Sequence, residues 1–331
     1  MQLTQKKSRR GDLLTAAAVA MLLAVMAALL YTGSLTRQVT NMLIPTAVYI
    51  VMAVSLNLVV GLLGELSLGH AGFMSVGLFS GCLVAIALTN TALPLMVRLP
   101  VSMLAGGLTA AVFGLLVGLP TLRLRGDYLA IETLACGEII KNIITNLRVT
   151  GGALGLNTTA IYAGAKELLP YGAALVLLTV AVMLNLKRSK YGRAIMAIRD
   201  NRIAAESVGL SVTRYKLAVF VIAAFFAGCA GVLYGHSLAN IKAAAFDYNM
   251  SIEILVIVVL GGMGSVPGSV VSAIVLTVLP EALREVADYR MLVYAVVLIL
   301  VMQATNNPAM KRFFGAACKS LTPKRKERAA L

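Results

Sequence analysis

Residues 191–210 read YGRAIMAIRDNRIAAESVGL, a charged island in a chain that is otherwise mostly apolar. The segment is too polar to lie in hydrocarbon and too long for a tight turn. Apolar runs flank it at 170–186 and 217–239, and others follow outward in both directions, at 127–146, 101–122, 73–89, 40–63 and 13–31, then at 252–262, 267–286 and 290–306. A helix crosses a bilayer core with about 20 apolar residues, so these runs predict an all-α polytopic membrane protein of about 8 to 10 transmembrane helices, some short or broken. Composition agrees. The chain is 59% apolar and 13% charged, with a mean hydropathy of +0.88, outside the usual range of soluble domains.

The basic residues orient this array. If the N-terminus is cytoplasmic and every run crosses, the inner side receives Lys6, Lys7, Arg9, Arg10, Arg123, Arg125, the eight Lys and Arg between 187 and 216, and the seven after residue 310. The outer loops receive Arg37, Arg98, Arg148, Lys166, Lys242 and Arg290. Such a bias places the island, and both termini, in the cytoplasm. KKSRR before the run 13–31 also suits a secretory signal, but no small-x-small cleavage site follows at LLYTGS, so an uncleaved anchor is expected. A net charge of +15 is then a membrane-surface property without nucleic-acid meaning, and the tail PKRKER faces anionic lipid or cytosol.

Within the island, good helix formers lie between Gly192 and Gly209. One or two short helices along the membrane face are expected, interrupted near Asp200 and Asn201. A helix so placed suits a docking partner.

Two apolar runs are broken by glycine. LLGELSLGHAG (62–72) places Gly64, Gly69 and Gly72 with Glu65, Ser67 and His70 after an apolar stretch, and VLGGMGSVPG (259–268) repeats the arrangement. Irregular backbone at membrane depth is tolerated where it is buried in protein or lines a wet cavity, and breaks in corresponding places of two halves point to a transport path. Weak identity between the halves leaves an inverted repeat as a hypothesis. In the run 127–146, Glu138, Lys141, Asn142 and Thr145 share a stripe at helical spacing; intramembrane ionisable groups suggest a path, while an i,i+3 pair of Glu138 with Lys141 suggests structural glue. His70 reads as a hydrogen-bonding strut, with a proton relay as the alternative, and His236 as interfacial. Small residues at spacing four, Ala110, Gly114 and Gly118, then Ala227, Gly231 and Gly235, suit close helix packing.

Cys82, Cys136, Cys229 and Cys318 are too scattered for a disulfide framework or a metal site, and no metal or organic cofactor is signalled. There is no G-x-x-x-x-G-K-[ST] phosphate loop, no H-E-x-x-H pair and no G-x-S-x-G elbow. A transporter is expected, not an enzyme.

Residues 191–217 resemble the cytoplasmic loop of the LivM family, branched-chain amino acid permease subunits of ABC importers, which read close to G-R-A-x-x-A-I-R-D-x-x-x-A-A-E-x-x-G and then T-x-Y-K. Gly192, Arg193, Ala194, Ala197, Ile198, Arg199, Asp200, Ala204, Ala205, Glu206, Gly209, Thr213, Tyr215 and Lys216 occupy those places. Ala204-Ala205-x-x-x-Gly209 is similar to part of the EAA loop of importer permeases, with Ile203 where that pattern has Glu. LNLVVGLLGELSLGHAGFMSVG (56–77), RGDYLAIETLACGEIIKNIITN with VTGGALGL (125–156) and SIEILVIVVLGGMGSVPGSVVSA (251–273) resemble the family's other signatures. Departures are Pro267 for Trp, Ser269 for Pro, and NNPAMKR in place of an Arg-Pro-x-Gly ending.

The resemblance implies a single transmembrane permease domain over 1–331, with 187–216 as cytoplasmic coupling loop and 311–331 as basic tail, in a bacterial inner membrane. It implies two ATP-binding subunits, a second LivH-like permease and a soluble substrate-binding protein as partners. Candidate path residues are Asn57, Glu65, Ser67, His70, Glu138, Asn142, Gly151, Gly152 and Gly262. Candidate coupling residues are Arg193, Ile198, Arg199, Asp200, Ala204, Ala205, Glu206 and Gly209. The competing expectation is a proton- or sodium-coupled secondary transporter acting alone, with Glu138, Lys141 or His70 in its relay.

Overall fold

A computed structural model describes residues 36–89, 94–121 and 126–282 continuously, with 17–21, 24–26, 28, 30, 32, 124, 296 and 299 besides. The runs 13–31 and 290–306, the tail 311–331 and the pair Arg123 and Arg125 lie wholly or largely outside these residues. The chain to Val278 forms one compact unit and Leu279 onward a second.

Between residues 36 and 282 the chain forms ten α-helices: α1 Arg37–Asn57, α2 His70–Thr89, α3 Leu95–Thr121, α4 Asp127–Asn146, α5 Ala165–Arg188, α6 Lys190–Asp200, α7 Arg202–Ser207, α8 Val212–His236, α9 Tyr248–Gly261 and α10 Val266–Ala282. Six segments among the described residues are long and apolar enough to cross a membrane, at 38–63, 70–89, 95–121, 165–188, 212–236 and 243–261. With the shorter apolar helix of 266–280, the fold is an all-α polytopic membrane protein. Helix α4 forms where a span was expected, but Asp127, Glu132, Glu138 and Lys141 keep it more polar than the six.

Burial sorts the helices. Along 38–63, α1 and the turn beyond it are almost wholly buried, so their apolar residues run on every side instead of in one stripe. Helices α5 and α8 pack on this centre, and α2, α3 and α8 pack closely on one another through small residues. A Cβ on Gly77 would strike the Gly228 backbone, one on Gly114 the Ala224 methyl, and one on Gly231 the Met74 carbonyl. Glycine here lets backbones approach where lipid offers no hydrophobic drive for association. At one end of the unit, strands β1 Leu156–Asn157 and β2 Asn240–Ile241 pair antiparallel and tie the 147–164 loop to the segment after α8.

The island forms α6 and α7. Asn201 separates them, its Oδ1 accepting from the Ala204 amide at 3.0 Å as N-cap of α7. Helix α7 closes with Gly209 at φ 84°, where the Gly209 amide donates to Glu206 O and the Leu210 amide to Ala205 O. This 5→2 and 6→1 pair defines a Schellman end. Gly192 was expected ahead of the helix. It lies instead within the first turn of α6, its amide donating to Ser189 Oγ, because a Cβ there would collide with the Leu186 carbonyl.

Candidate functional site

The two glycine-broken segments meet. After Asn57 the backbone of α1 widens into a π turn over Leu58–Leu63 and ends on Gly64 in the left-handed region at φ 80°. Asn57 is fully buried and joins this turn to the second break: its Nδ2 donates to Ser265 O at 3.2 Å and Ser269 Oγ at 2.9 Å, while its Oδ1 accepts from the Gly264 amide at 2.7 Å. Gly61 stands directly against Gly264, with no room for a Cβ between them. Gly262 and Gly264, at φ 88° and 82°, turn the chain from α9 into α10.

A π turn leaves main-chain carbonyls without successors, and cations serve them. Arg199 Nη1 donates to Gly61 O at 3.1 Å. Its Nε and Nη2 both donate to Asp200 Oδ1, and its alkyl stem packs on Gly64. Lys187 Nζ donates to Gly264 O at 2.9 Å. Glu65 pairs with Lys216 at the start of α8, both largely buried, and the remaining oxygen Oε2 has no partner among the described residues. A cleft of about 440 Å³ opens beside them, lined in part by Glu65, Arg199, Asp200, Arg202, Ile203 and Lys216.

The island presents two faces. Ile198 and Ala205 turn inward with Val212 to form a small core, packed by Leu210 and Tyr215. Arg193, Asp200, Ala204, Glu206 and Gly209 are exposed, and so are two large apolar side chains, Ile203 at 80% and Val208 at 75%. Arg193 donates to Arg188 O, and Glu206 pairs with Arg202.

Other candidates stand apart from this cluster. His70 is buried, its Nε2 2.8 Å from Ser55 Oγ, and this hydrogen bond struts α2 against α1. Ser67 is buried with no partner for Oγ among the described residues. The neighbouring Leu68 amide donates to Thr133 Oγ1 at 3.0 Å, joining the 64–69 corner to α4. Glu138 pairs with Lys141 as the spacing suggests, and its Oε1 accepts from the Tyr248 amide at 3.0 Å, so it also serves the N-terminus of α9. Asn142 is exposed beside Asn146 on a shallow surface with Ile139 and Ile143. Gly151 and Gly152 form the left-handed turn after α4. His236, expected at the interface, is fully buried.

Sequence reading missed the inward reach of Lys187 and the outward face of Ile203 and Val208. It also missed Glu253, which accepts from Tyr49 within the span 243–261. An acid inside an apolar run was the available signal for the last.

A family model described as branched-chain amino acid transport system / permease component matches residues 38–302. The chain is 37% identical over 290 residues to the high-affinity branched-chain amino acid transport system permease protein LivM of Escherichia coli, covering 78% of this chain and 66% of that protein. It is 31% identical over 126 residues to the permease protein LivH of Salmonella typhimurium, covering 37% and 40%. Identity to the fructose import permease protein FruG of Bifidobacterium longum is 25% over 258 residues, covering 73% of each. No solved structure matches. With a match running from the start of α1 past the end of α10, through both glycine breaks and the island between them, the chain belongs to the family of branched-chain amino acid transport system permease components.

Proposed function

We propose that this chain is the membrane-spanning permease subunit of an ATP-driven importer for branched-chain or related amino acids. The observation that carries the reading is the position of α6 and α7. They expose apolar Ile203 and Val208 on one side, and on the other they hydrogen-bond, through Arg199, into the break of the central helix. A segment with an open docking face and a direct hold on a membrane discontinuity suits an external motor. Two ATP-binding subunits would dock on it from the cytoplasm, in a bacterial inner membrane with both termini inside. A soluble binding protein would deliver substrate to the end carrying β1 and β2.

A LivH-like permease is the proposed membrane partner. Its place would be against α4, where Asn142 and Asn146 are exposed beside Ile139 and Ile143. Amides facing lipid are costly, whereas amides facing a second subunit line a path for a zwitterion. The whole chain is proposed to work as one permease domain. Of the expected path residues, Asn142 is the exposed side chain best placed to meet substrate, while Asn57, Glu65, His70 and Gly262 shape the moving break.

The test is uptake of radiolabelled leucine into proteoliposomes holding this chain, with and without its ATP-binding, permease and binding-protein partners. Uptake that requires the partners and ATP is expected. Accumulation by the chain alone, abolished by an uncoupler, would overturn the reading in favour of a secondary transporter.

A further inference from the structure

We infer that Arg199 and Lys187 form a clasp that passes movement of the 190–207 segment to the break in the membrane core, and so set the tightness of coupling instead of the strength of docking. This rests on the importer reading above. Every nitrogen of the Arg199 guanidinium is engaged within the chain: Nη1 holds Gly61 O, while Nε and Nη2 hold Asp200 Oδ1 at 3.1 and 3.0 Å. Asp200, the last residue of α6, thereby fixes the fork to the end of its own helix. Lys187, in the last turn of α5, holds Gly264 O. The two carbonyls belong to the two breaks, which touch at Gly61 and Gly264.

Three features make this a transmitting contact. The acceptors sit at a π turn and at a left-handed glycine turn, where the backbone has few competing bonds and the least steric resistance to change. Asn57 bonds Gly264, Ser265 and Ser269 together, so what moves Gly61 moves the second break as well. The side chains offered to a partner, Ile203 and Val208, are different ones, on α7 and just past its end. A partner that draws α6 and α7 away would lengthen the Arg199 bond and free the Gly61 carbonyl. Closely packed glycine backbones then switch between touching and parted arrangements instead of deforming smoothly.

The clasp residues are positioning residues, and their test separates docking from transmission. Arg199→Gln and Lys187→Gln are each assembled with the ATP-binding, permease and binding-protein partners, beside Ile203→Asp as a docking control. Co-purification of the ATP-binding subunit, leucine transported per ATP hydrolysed, and amide exchange across 59–65 are measured. The expected result for both clasp variants is unchanged co-purification, about a tenfold fall in leucine per ATP, within the range of couplings between sites, and faster exchange at 61–65 with α2 and α8 unchanged. Ile203→Asp should lose co-purification and leave exchange at 61–65 as it was. Loss of co-purification by Arg199→Gln would make it a docking residue and overturn the clasp. So would unchanged leucine per ATP, whatever the exchange does. Should Arg199→Gln loosen α2 and α8 as well, Lys187→Gln decides by the same readouts. If wild-type uptake needs no ATP, the importer reading itself fails, an outcome distinct from ATP-dependent uptake that ignores the clasp.

Discussion

At the scale of single residues, Gly61 illustrates how a missing side chain positions a site. Nothing in VVGLLGEL distinguishes it from any helix glycine, yet its hydrogen atoms face the Asn57 amide and the Gly264 backbone. A methyl group there has no flexible neighbour to displace. Gly61→Ala is therefore expected to destabilise the fold by about 1–3 kcal/mol, the usual cost of overpacking a close contact. Thermal unfolding in detergent would show it as a lowered midpoint, with the Gly61–Gly264 contact accountable only if Gly164→Ala, at an open position with nothing nearby, loses less. Arg199 teaches the complementary lesson. Its residue type and motif place were readable, but its direction was not: the exposed face of α6 and the hold on Gly61 O are fixed by a residue 138 positions earlier.

Elements explain why local readings succeeded unevenly. The island's two helices, their division at Asn201 and their closure at Gly209 were legible because capping is local chemistry, confined to a few consecutive residues. The pairing of Glu138 with Lys141 was legible for the same reason, at i,i+3. The bond from Glu138 to the Tyr248 amide was not, since it joins α4 to α9 across 110 residues. Glu65 is the same case: taken from its sequence as a path residue, it is found paired with Lys216 of α8, with side-chain exposures of 15% and 6%. This ion pair welds the corner between α1 and α2 to α8. Lys216→Met is expected to cost about 3–5 kcal/mol by leaving a buried carboxylate uncompensated, while Glu65→Leu with Lys216→Met recovers most of the loss. A double-mutant cycle on unfolding midpoints measures this, and a double variant whose loss equals the sum of the two single losses would show the pair contributes little to the corner.

On the scale of the whole molecule, hydropathy and the spacing of charge were sufficient for class and order of spans, because lipid demands long apolar helices and penalises exceptions. What they left open is which helices face protein. Helix α1 is apolar because it is the buried centre; α4 carries charge because much of its polar stripe is tied to neighbours, Glu138 to α9 and Thr133 to the 64–69 corner. Asn142 and Asn146 remain exposed, and Asn146 donates only to the Asn142 carbonyl among the described residues. We propose that this face, wetted at its two amides, is where the second permease docks. In a background with Cys82, Cys136, Cys229 and Cys318 replaced, Asn142→Cys should therefore react with a membrane-impermeant maleimide when this chain is produced alone. Its reaction should slow about tenfold when a LivH-like permease is produced with it, since a buried interface excludes reagent and water together. Leu108→Cys, on the exposed apolar face of α3, should react poorly in both cases because lipid covers it. Equal labelling of residue 142 with and without the second permease would remove α4 from the subunit interface and, with it, the reason for assigning Asn142 to the path.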